Sequence, residues 1–255
     1  MLVSEVMLQQ TQTSRVLEPW TKFLEAFPTP RACADAPLSD VLRLWSGLGY
    51  HRRAKALHDA ATMIRDEFDG AVPSETEDLR RLPGVGEYTA NAVASFAFGR
   101  RVAVVDTNVG RVLARAITNR TLSVREARDE AAAQLPRRDA ASFNQAMLDL
   151  GAQFCSSTPR CEICPVARAC RWNREGGPDP APRSAGVSRP KPKFQGSDRQ
   201  ARGRVLAALR ERPRSIQQLN ACIDDDANRG ADIVAGLVGD GLVERRGRLV
   251  RLRGD

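Results

Sequence analysis

The amino-acid sequence predicts a mainly α-helical fold with a small strand-containing region at its C-terminal end. Apolar residues recur at helical spacing in most of the chain, and Gly and Pro separate the helical segments. A Pro-Gly-Val-Gly turn at residues 83–86 joins two of these segments. Short apolar runs on both sides of Arg246-Gly247 are typical of two strands joined by a turn.

The composition indicates a globular protein with a basic C-terminal part. The 255 residues are 42% hydrophobic, enough for two or three small domains. There is no apolar run of about 18 residues and no signal peptide, so we expect a cytoplasmic, nucleoid-associated protein with no membrane partner. The net charge is +8, and residues 171–255 hold 18 Lys and Arg against 11 Asp and Glu. Such a region suits nucleic acid, although a solvated charged face has the same composition.

The first helical segment carries a glutamate and a glutamine one turn apart. Val3, Val6 and Met7 roughly follow one helical face. Glu5 and Gln9 would lie together on the same helix. A glutamate on a helix is ordinarily solvated, so the spacing alone favours that interpretation over a functional one.

The next helix is expected over residues 37–50 and ends in a Gly-Leu-Gly-Tyr sequence. An exposed Leu48 and Tyr50 between glycines could wedge into stacked DNA bases. The same segment could instead be a helix terminus that packs on its own core. Another helix is expected over residues 52–67.

The Pro-Gly-Val-Gly turn lies within a two-helix segment at residues 74–98. Pro83 ends the first helix, and the glycines permit a tight turn before the second. The backbone N–H groups of Gly84, Val85 and Gly86 would then lie at a helix N-terminus, where a phosphate binds favourably. An ordinary connection between two helices is the alternative.

An aspartate follows the second helix of this pair. Val102–Val105 is a short apolar run, and Asp106 heads a helix whose apolar face includes Val109 and Val112. An N-cap is the simpler role for such an aspartate. A helix N-terminus also stabilises an ionised carboxylate, so Asp106 could stabilise a positively charged transition state.

Four of the six cysteines lie close together in the sequence, after helices expected over residues 123–135 and 140–154. In a cytosolic protein such a cluster favours a metal site over disulfides. The four residues are Cys155, Cys161, Cys164 and Cys170.

The C-terminal part predicts a separate small domain. It follows a segment rich in Pro, Gly, Ser and Arg, which is typical of a linker. Three helices are expected. The first covers residues 199–211, the second begins after an N-cap at Ser215, and the third covers residues 227–240. Three helices followed by two short strands indicate a winged helix.

Six motifs, in this order, closely resemble MutY-type adenine DNA glycosylases of the helix-hairpin-helix (endonuclease III) superfamily: SEVMLQQTQ, LWSGLGY, LPGVGEYTANAV, VVDTNVGRVLAR, FNQAMLDLGA and the four cysteines. The resemblance covers about residues 1–172. It implies a six-helix barrel with the hairpin over residues 1–98 and an iron–sulfur cluster domain over 99–173. A linker over 174–197 and a winged-helix-like domain over 198–255 follow, similar to short actinobacterial members that have no NUDIX-like domain.

The resemblance implies a role for each matching residue. Glu5 matches the catalytic acid and Asp106 the second carboxylate. Tyr88 matches a residue beside the reacting sugar, Asn108 a polar partner in the site, and Gln145 a contact in the adenine pocket. The four cysteines match the ligands of a [4Fe–4S] cluster. The residues that match positions around the opposite base and the gap left by base flipping are Gln10, Thr11, Leu48 and Tyr50.

The implied activity is removal of adenine mispaired with 8-oxoguanine or guanine in double-stranded DNA by a monomeric enzyme. Bifunctional relatives have a lysine at the position of Tyr88, and its amine forms a Schiff base that leads to strand cleavage. The only lysines before the linker, Lys22 and Lys55, match no such motif. The resemblance therefore implies a monofunctional glycosylase that leaves an abasic site.

Two departures from the family pattern leave alternatives open. The family has a further helix before SEVML, whereas Glu5 is here the fifth residue. Either the native start lies upstream, or that support is missing. Five residues separate Cys155 from Cys161, one fewer than in the family. A zinc site, or four incidental buried cysteines, are therefore the alternatives to an iron–sulfur cluster.

Two other functions compete with adenine removal. One is a mismatch thymine or uracil glycosylase of the same superfamily, against which SEVMLQQTQ and FNQAM favour adenine. The other is a non-catalytic iron–sulfur DNA-binding regulator, against which the presence of both Glu5 and Asp106 argues. The C-terminal region could grip DNA, help to sense the lesion or be a solvated appendage.

Overall fold

Helices make up most of the chain, as the sequence predicts. The computed structural model describes residues 1–184, 193–223 and 227–255. Its α-helices are α1 (Leu2–Leu8), α2 (Thr13–Ala26), α3 (Pro30–Asp35), α4 (Leu38–Leu44), α5 (Arg52–Glu67), α6 (Thr76–Arg81), α7 (Glu87–Phe98), α8 (Thr107–Val112), α9 (Val124–Gln134), α10 (Ala140–Gln153), α11 (Arg171–Glu175), α12 (Asp198–Glu211), α13 (Ile216–Asn220) and α14 (Ala227–Gly239). The other elements are a π-helix (Leu113–Thr118), two 3₁₀ turns (Cys161–Ile163 and Ala181–Arg183) and the strands β1 (Arg214–Ser215), β2 (Val243–Arg246) and β3 (Leu249–Leu252).

Local signals account for several helix ends. Ser123 and Ser215 each form a capping box, in which the serine hydroxyl accepts an N–H and a side chain three residues on returns the contact. The N-terminal segment is broken, since Gln10 has a left-handed backbone (φ 58°) that a right-handed helix cannot include. Helix α4 ends at Leu44, earlier than predicted, and Gly47 and Gly49 follow with positive φ.

The contacts within the chain define two compact units. The first unit comprises Met1, Ser74–Leu79 and Gly86–Pro190, and the second comprises Leu2–Pro73, Arg80–Val85 and Lys191–Asp255. Each unit is therefore assembled from separate pieces of the sequence. The domain boundaries predicted at residues 98, 173 and 197 stay a prediction.

Helices α8 and α10 pack closely in the first unit. A Cβ at Gly151 of α10 would lie 2.6 Å from the carbonyl oxygen of Asn108. Glycine is therefore required for this approach. The apolar core around the two helices includes Val109, Val112 and Met147.

Part of the predicted linker is packed into the first unit. Arg115 in the π-helix is 1% exposed and pairs with Asp179 at 2.6 Å. The backbone N–H of Leu122 donates to Ser184 Oγ at 3.0 Å, and Ala181 is buried. Residues 179–184 are thus ordered by their contacts, while residues 185–192 of the predicted linker lie outside the described residues.

The C-terminal part of the second unit contains a three-stranded antiparallel sheet in the order β1-β3-β2. The sequence predicts β2 and β3, but β1 was missed because it has only two residues. Helices α12, α13 and α14 accompany the sheet, as expected for a winged helix, and that interpretation stays a prediction. The buried apolar side chains include Val205, Leu209, Leu219, Leu237, Leu242 and Val250. Within the described ranges, no helix is both long and apolar enough to cross a membrane.

Candidate active site and cysteine cluster

A buried asparagine holds the extended segment that precedes Asp106. Asn144 is 3% exposed, and its Oδ1 accepts a hydrogen bond from the N–H of Val104 at 3.2 Å. Its Nδ2 donates to Val102 O at 2.8 Å and to Ser95 Oγ at 2.9 Å. The side chain of Asn144 therefore satisfies main-chain groups that have no strand partner. This fixes the segment from which Asp106 enters α8.

Asp106 is the N-cap of α8, as predicted. Its Oδ1 accepts hydrogen bonds from the N–H groups of Asn108 and Val109, both at 2.8 Å. Its Oδ2 accepts one from Asn108 Nδ2 at 2.7 Å. Three N–H donors at a helix N-terminus stabilise negative charge on this carboxylate.

The side chain of Asn108 is held in turn by an arginine one helical turn further on. Arg111 Nη2 donates to Asn108 Oδ1 at 2.6 Å and to Gly151 O at 3.0 Å. Arg111 Nε donates to Cys155 O at 2.8 Å. Arg111 thus connects the site of Asp106 to the first residue of the cysteine cluster.

Tyr88 and Asp106 line the same open cavity of about 290 Å³, together with Thr107 and Val105. The structure thus brings together two of the residues that were predicted from the family motifs. Gln145 does not line this cavity. It is exposed on α10, and its Nε2 donates to Asp149 Oδ1 at 3.0 Å.

Glu5 lies on α1 in the second unit, in different surroundings. Its side chain is partly buried, and burial raises the pKa of its carboxyl above the ordinary value. No N–H within the described part of the chain donates to this carboxyl. A raised pKa is the direction of shift that a general acid requires.

Arg53 fastens the end of the helix that carries Glu5. Its Nη1 donates to the carbonyl oxygens of Val6 and Met7, both at 2.8 Å, and of Gln9 at 2.6 Å. Its guanidinium lies 5.5 Å from the centroid of the Tyr50 ring. Burial lowers the pKa of Arg53 to about 10, which still leaves it charged at neutral pH.

The residues predicted to surround the opposite base lie in the second unit. Gln10 is exposed, and Thr11 Oγ1 accepts a hydrogen bond from Arg53 Nη2 at 3.0 Å. Tyr50 is half-buried with a left-handed backbone, φ 47°. The expectation of an exposed Leu48 is wrong, because its side chain is 3% exposed. Leu48 packs into the core, which is the alternative considered for this segment.

The Pro-Gly-Val-Gly turn offers fewer backbone donors than predicted. Gly84 has φ 77°, and a Cβ there would lie 2.7 Å from Ala56 Cβ. The N–H of Val85 donates to Leu82 O at 3.1 Å and is therefore not available. Within the described part of the chain, the N–H groups of Gly84 and Gly86 donate to no protein acceptor.

The four clustered cysteines line one cavity in the first unit. Burial raises the pKa of the Cys161 thiol, and the nearby thiols of Cys170, Cys155 and Cys164 raise it further. Among the described residues, however, no three side chains of the metal-binding types converge closely enough to hold one ion. Four thiols that line one cavity are of the chemical type that binds zinc or an iron–sulfur cluster.

Sequence reasoning missed the three polar residues that hold the site in place: Arg53, Arg111 and Asn144. Asn144 stands next to Gln145 in FNQAM, and its place on the apolar side of α10 was the available signal. Arg111 lies within VVDTNVGRVLAR, where the spacing of three from Asn108 predicts contact on one helical face. For Arg53 we find no signal in the local sequence.

Comparison with known proteins identifies the family. Residues 3–137 match the model of the HhH-GPD superfamily base excision DNA repair protein. The adenine DNA glycosylase of Mycobacterium tuberculosis (strain ATCC 25618 / H37Rv) is 46% identical over 253 residues, which is 96% of this chain and 81% of that protein. The adenine DNA glycosylase of Homo sapiens is 42% identical over 176 residues, covering 66% of this chain and 32% of that protein.

Solved structures agree with this assignment. A thermostable thymine-DNA glycosylase has a TM-score of 0.62 and 27% identity, and a trapped endonuclease III–DNA covalent intermediate has a TM-score of 0.62 and 29% identity. Each alignment covers 68% of this chain and 83% of the other. The chain therefore belongs to the HhH-GPD superfamily of base excision DNA repair proteins and, within it, to the adenine DNA glycosylase family.

Proposed function

We propose that this chain is a monofunctional, monomeric adenine DNA glycosylase that acts on double-stranded DNA. It hydrolyses the bond between adenine and deoxyribose where adenine is mispaired with 8-oxoguanine or guanine, and it leaves an abasic site. The observation that carries the proposal is the contrast between the two carboxyl groups. Burial raises the pKa of Glu5, whereas Asp106 accepts three N–H hydrogen bonds at a helix N-terminus.

The first step is protonation of the leaving group. The adenine must leave the base stack to be reached, at a cost of a few kcal/mol. Adenine is a poor leaving group unless it is protonated, and N7 is its accessible nitrogen. Glu5 donates its proton to N7, which requires a carboxyl that is still protonated near neutral pH.

The second step is breakage of the bond between the sugar C1′ and adenine N9. The electron pair leaves with the protonated adenine, and the sugar becomes oxocarbenium-like. The negative charge of Asp106 stabilises this cation, a division of labour between two carboxyls like that of glycosidases. Water then attacks C1′ and gives its proton to the Glu5 carboxylate, which restores the acid.

The four cysteines would hold a [4Fe–4S] cluster, the group typical of this superfamily. When bound, the cluster would cross-link the loop between Cys155 and Cys170, a structural role. The hydrogen bond from Arg111 to Cys155 O would then tie that loop to Asn108. Because Tyr88 has no amine, no Schiff base forms there, and the strand stays intact.

The family motifs and the backbone donors of the Pro-Gly-Val-Gly turn suggest which residues contact DNA. The N–H groups of Gly84 and Gly86, which donate to no acceptor among the described residues, would bind a backbone phosphate. Gln10, Thr11 and Tyr50 would face the opposite base, and Gln145 would contact the adenine.

The decisive test is a single-turnover reaction on a duplex with one adenine·8-oxoguanine pair, read with and without hot alkali. We expect strand breaks only after alkali, and a rate about 10²–10⁴-fold lower for Glu5→Gln. Glu25→Gln, a glutamate of α2 outside the site, is the matched control. Breaks without alkali would contradict the monofunctional assignment, and an unchanged rate in Glu5→Gln would remove Glu5 from the mechanism.

A thymine glycosylase is the second candidate, and the similarity to the thermostable thymine-DNA glycosylase favours it. The same assay on a duplex with one thymine·guanine pair separates the two. Release of thymine at a higher rate than adenine would replace the proposed substrate.

A further inference from the structure

An open cavity in the second unit is lined by residues from both ends of the chain. We call it the arginine cavity, and its volume is about 410 Å³. Four of its eight lining residues are arginines, and none is acidic. The lining residues are Gln9, Gln10, Tyr50, His51, Arg52, Arg53, Arg199 and Arg202.

The charges of the arginine cavity are unequally compensated. Arg52 and Arg202 both pair with Asp240, the first at 2.8 Å. His51 adds no charge near neutral pH, because burial and the neighbouring Arg210, Arg202 and Arg53 lower its pKa to about 4. In contrast, no carboxylate in the described part of the chain pairs with Arg199.

Arg199 is nevertheless held in place. Its guanidinium lies 5.4 Å from the centroid of the Tyr50 ring and 5.0 Å from that of Phe194. Its Nη1 donates to Tyr50 Oη. Two aromatic contacts and one hydrogen bond position the group, while most of its five N–H donors have no acceptor among the described residues. Such an arginine is suited to bind an oxygen acceptor of a ligand.

We propose that Arg199, supplied by α12 of the C-terminal region, binds an acceptor oxygen of the DNA strand opposite the target adenine. The inference rests on the proposed function, because the resemblance assigns Gln10 and Tyr50 of the same cavity to the opposite base. A backbone phosphate and a purine carbonyl both offer such an oxygen. The absence of acidic lining residues favours the phosphate.

The test is equilibrium binding of the full chain to the duplex with one adenine·8-oxoguanine pair, in a Glu5→Gln background that prevents turnover. We expect Arg199→Ala to weaken binding about tenfold, as loss of a hydrogen bond to a charged group does. If the acceptor is a phosphate, the loss is the same with guanine opposite adenine, and the salt slope falls by about 1. If it is the purine, the loss depends on that base, and the salt slope is unchanged.

Arg210→Ala is the matched control. Arg210 also extends from α12, where it donates to Ser46 Oγ at 2.8 Å and contacts His51 Nε2 at 3.0 Å, but it does not line the arginine cavity. We expect it to change binding less than twofold, because Arg210 does not line the arginine cavity. Unchanged binding in Arg199→Ala, or an equal loss in Arg210→Ala, would overturn the proposal.

The lysine variant separates charge from geometry. Arg199→Lys keeps the positive charge but loses the planar fork, so it should retain the salt slope if the partner is a phosphate. Because these readouts are binding constants, they do not depend on adenine release. Failure of the unsubstituted chain to release adenine would contradict the proposed function, while the binding data would still decide the role of Arg199.

Discussion

The surroundings of Glu5 and Asp106 differ in nearly every respect. Glu5 lies along a short helix, where burial raises its pKa and no N–H from the described residues reaches its carboxyl. Asp106 lies at a helix N-terminus and accepts three N–H hydrogen bonds. The same functional group is thus half-buried without an N–H donor from the described residues in one unit and held by three N–H donors in the other. The difference shows that burial and the presence of N–H donors give the two carboxyl groups different surroundings.

Each of the two regions also depends on one arginine, used in a different way. Arg53 donates to main-chain oxygens at the end of the helix that carries Glu5. Arg111 donates to the side chain of Asn108, which itself donates to Asp106. One arginine therefore positions a helix, whereas the other positions a single side chain.

Among the substitutions that test this comparison, removal of the Asp106 charge is expected to have the largest effect on the single-turnover rate. We expect Asp106→Asn to lower the single-turnover rate by about 10²–10³-fold, the usual cost of losing one preorganised electrostatic contact. Asparagine also caps helices well, so the thermal midpoint should change little. Asp129→Asn, at an exposed position, is the control. A large loss of thermal stability would show that capping, not transition-state charge, is the role of Asp106.

Substitution of Arg53 tests the region around Glu5, and the measured quantity is the free energy of unfolding. Arg53→Lys loses the planar fork, in which Nη1 donates to Val6, Met7 and Gln9 and Nη2 donates to Thr11, Leu48 and Gly49. We expect the free energy of unfolding to fall by about 2–3 kcal/mol. Denaturant titration measures the change. Arg52→Lys is the matched control, since its side chain is 74% exposed and pairs with Asp240, and it should cost less than about 1 kcal/mol. Equal effects in the two variants would contradict the positioning role of Arg53.

The pH dependence of the rate sharpens the comparison. The active form of Glu5 is the protonated one, so its fraction falls as pH rises through the raised pKa. The single-turnover rate should therefore decline by up to about tenfold per pH unit above that pKa. Asp106→Asn should keep this decline, and Glu5→Gln should lose it. A decline that persists in Glu5→Gln must come from another group.

The smallest expected effect is at Arg111. Arg111→Lys keeps the charge but cannot reach Asn108, Gly151 and Cys155 together, so we expect a rate lower by several-fold and roughly unchanged DNA affinity. Single-turnover rates at saturating enzyme and a binding titration separate the two quantities. Arg125→Lys, at a side chain that is 92% exposed, is the control. A matching loss of affinity would indicate that Arg111 acts on DNA contacts as well.

The sequence predicted what local patterns determine. Helices α5 and α10, the caps at Asp106 and Ser215, and the strand pair β2–β3 follow from periodicity and from residue types at helix and strand ends. The contacts that the sequence did not predict join residues that are far apart in the chain. Arg53 reaches Val6 across 47 positions, and Asn144 reaches Ser95 across 49, so neither partner is visible in the local sequence. The prediction of an exposed Leu48 used only the flanking glycines. Its burial depends on packing against other parts of the chain, which the local sequence does not show.

The construction of the second unit from both ends of the chain has a consequence for biosynthesis. Tyr50 and Ser46 have partners on α12 that lie 149 and 164 positions later. At about 5–20 residues per second, a ribosome needs on the order of ten seconds to make that intervening stretch. Residues 2–73 are therefore synthesised before the α12 segment that packs against them, and most of the first unit is synthesised in between. The segment that contains α12 then completes the packing of residues 2–73.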